Sequence, residues 1–451
     1  MSSEKTSNGD MAVDMIIRAG TLLTMNSDME VVHDALVMIA GDKIVDIRTW
    51  QGEQDLALWE KVEILDASDC LVLPGLINCH THAAMTLFRG YADDLPLKQW
   101  LFEKIFPAEA RILSPETVFW GAMLGFVEMI ASGTTCFLDG YFYQDHTMAA
   151  ALKVGIRGLA AQGVIDFPAP GVPDSSKNLE VGEAFLEKWS GESKLVRPGL
   201  FCHSPVTCSD KTLRKAMEIS QRYGVPMQIH LSETNEEVQE IQERKNQRPL
   251  FYLEELGILN SNLIAAHAIH LDEREIDKLA QNETKVVHVP ESNMKLASGP
   301  AKIPLMLKRG ITIGLGTDGC ASNNNLDLFQ EMDTAAKLSK VISKSPEVLD
   351  ARTVLKMATR WGARVLGLQD EIGSIEIGKK ADIITIDLQG PHLQPLYDPY
   401  SLLVYSASGG DVRDVILNGK LLFRNREFIS LDLEEIKAKV RQITKSLKNA
   451  G

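Results

Sequence analysis

Positive charge is scarce in this 451-residue sequence. Its 47 lysines and arginines are outnumbered by 61 aspartates and glutamates, which gives a net charge of −14. Proteins dedicated to nucleic acids or anionic membranes need a concentrated positive surface. The balance therefore disfavours both kinds of partner and favours a neutral or zwitterionic small molecule as the ligand.

Long apolar runs are also missing. The longest stretch that we find without Asp, Glu, Lys or Arg spans residues 71–88, and it is broken by Pro74, His80 and His82. It lacks the ~20 mainly apolar residues of a membrane helix. The polar opening MSSEKTSNGD is not followed by the apolar region of a secretory signal. We expect a protein that has no membrane span and stays in the cytoplasm.

Cysteines are few and scattered. They are Cys70, Cys79, Cys136, Cys202, Cys208 and Cys320. No C-x-x-C pair occurs, and a chain of this length can bury a full core without disulfides. We predict that the cysteines are reduced and mostly buried, where they act as small apolar side chains.

Both ends of the sequence carry patterns typical of β-structure, with apolar and polar residues mixed at short spacing between Gly, Asn and Asp turns. These segments are residues 15–26, 35–47, 62–73, 373–387 and 412–425. The last one contains the hairpin signal Asn418-Gly419. We predict a small β-sandwich domain built from both termini, with residues 1–73 and 369–451 as its two parts and a helix at the C-terminus.

The middle of the sequence alternates short apolar runs with amphipathic helical patterns, which is typical of β-α units and a parallel sheet. The eight runs are residues 71–82, 134–140, 156–165, 196–203, 226–231, 263–270, 285–289 and 312–316. Eight repeats match an α/β fold of the (β/α)8 barrel type, whose catalytic groups lie at the C-terminal ends of the strands. We assign this barrel to residues 74–368.

Histidines collect at these predicted strand ends. His80 and His82 end the first strand, and residues two apart in a strand face the same side, so both can point into one cavity. His230 and Asp318 follow other strand ends and would complete a set of three imidazoles and one carboxylate. Such a set suits zinc, with Fe²⁺ as a weaker alternative. The hypothesis depends on all four together, because an isolated H-x-H or T-D-G is more often structural.

Glu233 lies three residues after His230. One interpretation is an acidic residue in the first turn of a helix, where acids are favoured. The other is a proton shuttle, because a zinc-bound water has a pKa of about 7 and a nearby carboxylate can carry its proton.

The remaining histidines receive no functional role. His33, His146 and His392 lie outside the pattern and are interpreted as structural. His270 lies three residues after His267, which would put it on the opposite face of the same strand, so it is interpreted likewise. For His288 we find no explanation.

Several longer motifs surround these positions. They are PGLINCHTH at residues 74–82, His230 with Glu233, His267, GTDG at 316–319, MTLFRGYADDLPLKQWL at 85–101, FPAE at 106–109 and SNMKLASG at 292–299. Together they resemble the amidohydrolase superfamily over nearly the whole chain. The longer segments are similar to its 5-methylthioadenosine/S-adenosylhomocysteine deaminase family and to related chlorohydrolases. Members pair a metal-centred barrel with a small sheet built from both termini.

The resemblance implies a metal site of one Zn²⁺ ion per subunit. Its ligands would be His80, His82, His230 and Asp318. Asp318 would also take a proton from the attacking water, and His267 would hold that water by a hydrogen bond.

The resemblance also implies a set of substrate contacts. Glu109, His203, Glu233 and Asp318 would touch the substrate, with Glu233 as the proton donor. Residues 162–175 offer no arginine of the kind that some members use for a substrate carboxylate. This departure weakens S-adenosylhomocysteine as a substrate more than methylthioadenosine, which has no carboxylate.

We therefore predict a metal-dependent aminohydrolase that acts on a C–N bond of a cyclic amidine. Its substrate would be 5′-methylthioadenosine, with S-adenosylhomocysteine and adenosine as further candidates, and its products the inosine analogue and ammonia. Two alternatives stay open: a related hydrolase of guanine or another aminated or chlorinated heterocycle, and a barrel that has lost chemistry and serves as a binding or assembly module. The partner would be a small nucleoside, and both a monomer and a homo-oligomer stay open.

Overall fold

The structure, a computed structural model, describes residues 13–52, 55 and 62–448. Their strands form two sheets. One draws on both ends of the chain, and the other is built from the segment between them. The polar opening segment on which the expectation of no secretory signal rests lies outside the described residues.

The terminal sheet has eight strands. They are β1 (Met15–Leu23), β2 (Val31–Ala40), β3 (Lys43–Thr49), β4 (Glu63–Pro74), β14 (Ile383–Asp387), β15 (Val412–Leu417), β16 (Lys420–Arg424) and β17 (Glu427–Phe428). Their order is β17-β16-β15-β14-β4-β1-β2-β3. The two termini join where β4 pairs with β14 in antiparallel register, for example Val72 with Thr385. The sheet therefore requires both ends of the chain.

The terminal sheet buries apolar side chains on both faces. Val72 and Ile383 belong to a cluster confined to this sheet. Their neighbours Leu71, Leu73 and Ile384 belong to the large cluster shared with the barrel. Because successive residues in a strand point to opposite faces, this alternation lays one face of the sheet against the barrel.

One hairpin of the terminal sheet follows its sequence signal. Asn418 and Gly419 have φ angles of 52° and 75° and join β15 to β16. Two positive φ angles define a type I′ turn, which suits the twist of a two-residue hairpin. Leu417 pairs with Lys420 across it, so the predicted hairpin is confirmed.

The barrel sheet has nine strands, all parallel. They are β5 (Leu76–His82), β6 (Thr134–Tyr141), β7 (Arg157–Val164), β8 (Val196–Cys202), β9 (Met227–Leu231), β10 (Leu263–His267), β11 (Lys285–His288), β12 (Ile313–Leu315) and the short β13 (Asp318–Gly319). Their order is β12-β11-β10-β9-β8-β7-β6-β5-β13. β13 directly continues β12 and pairs with β5, Asp318 opposite Thr81, which closes the barrel. The predicted fold class is confirmed.

Helices cover the barrel and connect its strands. They are Leu97–Gln99, Phe106–Ile112, Pro115–Ala131, Gln144–Val154, Asn178–Trp189, Asp210–Tyr223, Asn235–Lys245, Pro249–Glu255, Glu273–Gln281, Pro290–Lys295, Ile303–Lys308, Leu328–Ser343, Ala351–Ala358, Arg360–Val365, Pro399–Tyr405 and Leu433–Lys448, with a π-helical turn at Trp100–Ile105 and 3-10 turns at Ala83–Phe88, Ser175–Lys177, Pro391–Leu393 and Gly409–Asp411. Across the described part of the chain, none of them is both long and apolar enough to cross a membrane.

Local sequence sets the limits of these helices. The helix Asp210–Tyr223 begins after Ser209, whose side chain accepts from the backbone N–H of Thr212 at 3.3 Å. It ends at Gly224, which takes the left-handed conformation with a φ of 64°. Ser at the N-cap and Gly at the C-terminal end are the preferred residues for these positions.

Each of the eight predicted runs contains a barrel strand, and one of them spans two elements. Residues 71–74 complete β4 of the terminal sheet, and β5 begins at Leu76. Gly75 lies between them, where a Cβ atom would come within 2.0 Å of the Thr135 side chain. The apolar pattern continues through residues 71–82 because the terminal sheet buries its first part and the barrel sheet buries the rest. The domain limits 1–73, 74–368 and 369–451 stay a prediction.

Candidate metal centre and active site

Four side chains at the C-terminal rim of the barrel meet at one point. His80 and His82 lie at the end of β5, His230 lies in β9, and Asp318 begins β13. Each offers one ligand atom, and these atoms all lie within 4.8 Å of one another. The strand order explains the meeting, because β13 pairs with β5 while β9 faces them from across the barrel.

Hydrogen bonds fix the orientation of the two imidazoles of β5. His80 donates from Nδ1 to Gln228 Oε1 at 2.9 Å, and the Gln228 amide donates in turn to the carbonyl of Cys79. His82 donates from Nδ1 to the carbonyl of Gly140 at 2.5 Å. A neutral imidazole that carries its proton on Nδ1 has a free lone pair on Nε2. In their neutral form, both rings therefore present Nε2 as an electron-pair donor.

The ligand atoms of these residues converge. His80 Nε2 lies 3.3 Å from His230 Nε2, and His82 Nε2 lies 3.2 Å from Asp318 Oδ1. Burial, together with the neighbouring imidazoles, lowers the pKa of His230 well below its usual value, which keeps this ring neutral. Buried lone pairs that face one another fit a bound cation, and three imidazoles with one carboxylate fit zinc.

Neighbouring hydroxyl groups orient the carboxylate. Asp318 Oδ2 accepts from Ser292 Oγ at 2.7 Å and from Ser322 Oγ at 2.8 Å. Oδ1 is left to face the imidazoles of His80 and His82. Oδ2 thus fixes the orientation of the side chain, and Oδ1 is the atom available as a metal ligand.

We expect Gln228→Ala to weaken zinc binding by roughly 10- to 100-fold, which is the usual cost of losing a side chain that orients a metal ligand. The reason is that His80 would lose the acceptor that holds its proton on Nδ1. A competition titration of zinc against a chromophoric chelator measures the change. Gln221→Ala, on the exposed side of a neighbouring helix, is the matched control. Equal zinc affinity in both variants would remove Gln228 from this role.

Glu233 and His267 lie beside the metal-ligand set. Glu233 is 8% exposed, and burial raises its pKa. Its Oε2 lies 3.7 Å from His267 Nε2, and its Oε1 accepts from Ser298 Oγ at 3.3 Å. His267 Nδ1 lies 2.9 Å from Asn293 Oδ1, which leaves Nε2 to face the cavity. A carboxyl group with a raised pKa is suited to donate a proton near neutral pH.

Glu109 and His203 also lie at the site and line the same cavity. Glu109 lies in the helix Phe106–Ile112, is 2% exposed, and accepts a hydrogen bond from the Tyr141 hydroxyl at 2.5 Å. Burial raises the pKa of Glu109 to about 7. His203 follows β8, and burial lowers its pKa to about 4, so its ring is neutral.

All these groups surround one cavity of about 830 Å³. Its lining includes every predicted site residue except the fully buried His80. Those that line it are His82, Glu109, His203, His230, Glu233, His267 and Asp318. The structure thus brings the predicted residues together, while their individual roles stay predictions.

Sequence reasoning missed several residues of the site. Gln228 lies two positions before His230 on the same strand, so the period of two could have placed it on the same face. Ser292 and Ser298 lie within the SNMKLASG motif. Tyr141 carries no motif of its own, and only the structure places its hydroxyl on Glu109.

The interpretation of His270 rested on a wrong premise. β10 ends at His267, so His270 lies beyond the strand and not on its opposite face. It lines the cavity, and its Nε2 donates to the carbonyl of Ser298 at 2.6 Å. His288 is buried, neither of its ring nitrogens has a hydrogen-bond partner in the described part of the chain, and we find no explanation for it.

A parallel barrel with three imidazoles and one carboxylate at its C-terminal rim defines a metal-dependent hydrolase of the barrel type. Residues 71–422 match the amidohydrolase family. The chain belongs to this family.

Similar proteins cover almost the whole chain. The 5-methylthioadenosine/S-adenosylhomocysteine deaminase of Syntrophobacter fumaroxidans is 44% identical over 440 residues, which are 98% of this chain and 100% of that protein. The 5′-deoxyadenosine deaminase of Methanosarcina acetivorans is 43% identical over 435 residues, which are 96% of this chain and 98% of that protein.

The structure is similar to that of an adenosine deaminase from Xanthomonas campestris with bound zinc. The TM-score is 0.93 at 36% identity, over 97% of this chain and 99% of the other. The comparison supports zinc as the metal of the four-residue site.

Proposed function

We propose that this chain hydrolytically deaminates 5′-substituted adenine nucleosides, with 5′-methylthioadenosine as the principal substrate. One observation carries the proposal. The metal-ligand set, the buried acid Glu233 and His267 meet in one cavity of a chain that is similar, over its full length, to methylthioadenosine and 5′-deoxyadenosine deaminases. The products are the inosine analogue and ammonia.

His80, His82, His230 and Asp318 are assigned as the ligands of one zinc ion. When bound, zinc supplies Lewis-acid chemistry, which lowers the pKa of water to about 7 and so provides a nucleophile at neutral pH. Burial keeps His230 neutral, as a ligand must be.

The side chains of this protein move the protons. Asp318 accepts one proton from the attacking water, whose oxygen adds to C6 of the purine. Glu233 protonates the adjacent ring nitrogen, and its raised pKa favours the proton-carrying form. His267 holds the water through Nε2. Asp318 then passes its proton to the amino group, and the C6–N bond breaks to release ammonia. The second proton of the water moves to Glu233 and replaces the proton that Glu233 gave to the ring.

The outer part of the cavity supports an uncharged 5′ substituent better than an amino acid. Its cationic side chains are Lys98, Arg244 and Lys295. Arg244 is already paired with Glu240, and Lys295 with Asp93. Among the described residues of the lining, Lys98 is the one cation without a salt bridge to offer a substrate carboxylate, so S-adenosylhomocysteine ranks below methylthioadenosine.

A substrate screen tests the proposal against its rivals. Ammonia release is measured with 5′-methylthioadenosine, adenosine, S-adenosylhomocysteine and guanine, and chloride release with a chlorotriazine. We expect the highest kcat/KM for methylthioadenosine. A preference for guanine or the triazine would move the enzyme to a neighbouring hydrolase class. If the zinc-loaded protein released neither ammonia nor chloride from any of these compounds, the non-catalytic barrel would be favoured. The complete ligand set argues against that alternative.

We expect Glu109 to bind the ribose hydroxyl groups of the substrate. Above its pKa of about 7, Glu109 is a carboxylate that offers acceptors to the adjacent 2′ and 3′ hydroxyls, and a hydrogen bond to a charged group contributes about 1.5 to 3 kcal/mol. Removing the 2′ hydroxyl from the substrate should therefore lower kcat/KM by roughly tenfold to a hundredfold. Glu109→Gln should erase much of this preference.

The measurement compares the ribo and 2′-deoxy forms of the best substrate with each variant. Glu103→Gln is the matched control, since Glu103 lies exposed on the preceding helical turn. A ribo preference as large in Glu109→Gln as in the control would show that another group reads the ribose.

We also propose that the enzyme works in the cytoplasm. All six cysteines are free and buried, which is the pattern of a reducing compartment. The acidic net charge supports a small nucleoside as the partner in place of nucleic acid.

A further inference from the structure

The turn that carries Glu233 is held by a second glutamate. After β9, Ser232 takes a left-handed conformation with a φ of 49°, and the chain then enters the helix Asn235–Lys245. Glu237, in the first turn of that helix, reaches back, and its Oε2 accepts from the backbone N–H of Glu233 at 2.7 Å. The two acidic residues are therefore linked directly.

This contact departs from ordinary helix capping. In a capping box, the third residue of the helix accepts from the backbone N–H of the N-cap residue. The same chain forms such a box at the helix Glu273–Gln281, where Glu275 accepts from the N–H of Asp272 at 2.8 Å. At the helix Asn235–Lys245 the N-cap is Thr234, but Glu237 passes it and binds the N–H of Glu233.

The placement is also unfavourable for a simple cap. Glu237 is partly buried beside a second acid. Burial raises its pKa to about 7; the backbone N–H of Glu233 opposes this rise, and the Glu233 carboxyl group adds to it. Oε1 of Glu237 has no hydrogen-bond partner among the described residues. Acids are favoured in the first turn of a helix, but the neighbouring acid Glu233 disfavours the charged form of Glu237.

Together with Ser298, Glu237 holds Glu233 by hydrogen bonds at both its side chain and its backbone. Ser298 holds the side chain of Glu233 at Oε1, and His270 fixes the carbonyl of Ser298. Glu237 holds the backbone of the same residue. With both ends restrained, the carboxyl group of Glu233 keeps its direction towards His267 and the metal-ligand set.

We propose that Glu237 is a positioning residue for the deamination: its carboxyl oxygen holds the Glu233 backbone so that the Glu233 carboxyl group is aimed at the substrate ring. The inference rests on the proposed role of Glu233 as proton donor. Misplacing a reacting group by about 1 Å can lower a rate by ~10²-fold, so the geometry of one hydrogen bond is sufficient for a large effect.

Two conservative variants separate the effect of the side-chain length of Glu237 from the effect of its charge. Glu237→Gln keeps the length and an acceptor oxygen and removes the charge. Glu237→Asp keeps the charge and is one methylene too short to reach the Glu233 N–H. We expect Glu237→Asp to lower kcat by roughly 10- to 100-fold with KM and zinc content unchanged, and Glu237→Gln to stay close to the parent enzyme. Glu243→Asp, exposed further along the same helix and outside the cavity lining, is the matched control.

The opposite order, with Glu237→Gln slow and Glu237→Asp normal, would overturn the inference, because charge and not reach would then matter. A Glu237→Asp protein that unfolds or loses zinc would likewise assign Glu237 to stability. A fall in kcat confined to Glu237→Asp supports the inference.

A double-mutant cycle links the effect to Glu233. If Glu237 acts through Glu233, adding Glu237→Asp to Glu233→Gln should cause no further fall in kcat. Full additivity of the two losses would overturn the inference. The cycle also separates two failures: a Glu233→Gln enzyme of normal rate contradicts the proposed function, whereas a slow Glu233→Gln with a normal Glu237→Asp contradicts only the role of Glu237.

Discussion

Glu233→Gln should reduce kcat by ~10²- to 10⁴-fold and leave zinc bound, because the amide keeps the shape of the side chain but cannot transfer a proton. Its neighbours should stay in place, since Ser298 can donate to the amide oxygen as it donates to Oε1 now. Steady-state kinetics with methylthioadenosine and zinc analysis of the same sample measure both quantities.

The position of Glu233 makes this test specific. It contacts His267 and Ser298 and is not one of the four residues whose ligand atoms converge. Loss of zinc together with activity would make it a ligand or a structural residue. Glu243→Gln, which changes an exposed acid of the following helix outside the cavity lining, is expected to behave like the parent protein.

His230→Ala should remove metal and activity together. The variant leaves three of the four donor groups, and alanine offers no atom to fill the position. We expect zinc content to fall well below one ion per chain and turnover to fall to the background rate. Atomic absorption on the purified protein measures the metal, and the ammonia assay measures the rate.

A second histidine variant controls for general effects of losing an imidazole. His33 lies exposed in β2, far along the terminal sheet, so His33→Ala should keep both zinc and activity. If His230→Ala retained one zinc per chain and near-normal turnover, the four-residue site would be wrong.

The parts of the site that strand periodicity controls were predictable from sequence. His80 and His82 face the same cavity because they are two residues apart in a strand. His230 and Asp318 could be added because parallel strands present their C-terminal ends at one rim of a barrel. The alternation of short apolar runs with amphipathic helical patterns also located the barrel strands, one in each of the eight predicted runs.

The parts that depend on loop geometry were not predictable in this way. His270 was misplaced because nothing in the sequence marks the end of β10 at His267, whose left-handed φ of 67° takes the chain out of the strand. The contact between Glu237 and Glu233 resembles an ordinary capping pattern in sequence, and only the distances show which N–H is bound. The predicted segments 62–73 and 71–82 overlap at the end of β4, because both sheets bury the chain around Pro74.

Adding zinc back to chelator-treated enzyme, with 5′-methylthioadenosine as substrate, tests the central claim most directly. The account predicts that activity rises in proportion to zinc and saturates at one ion per chain, with one ammonia released for each inosine analogue formed. Fully zinc-loaded enzyme that releases no ammonia, or metal-free enzyme that is as active as the loaded one, would contradict it.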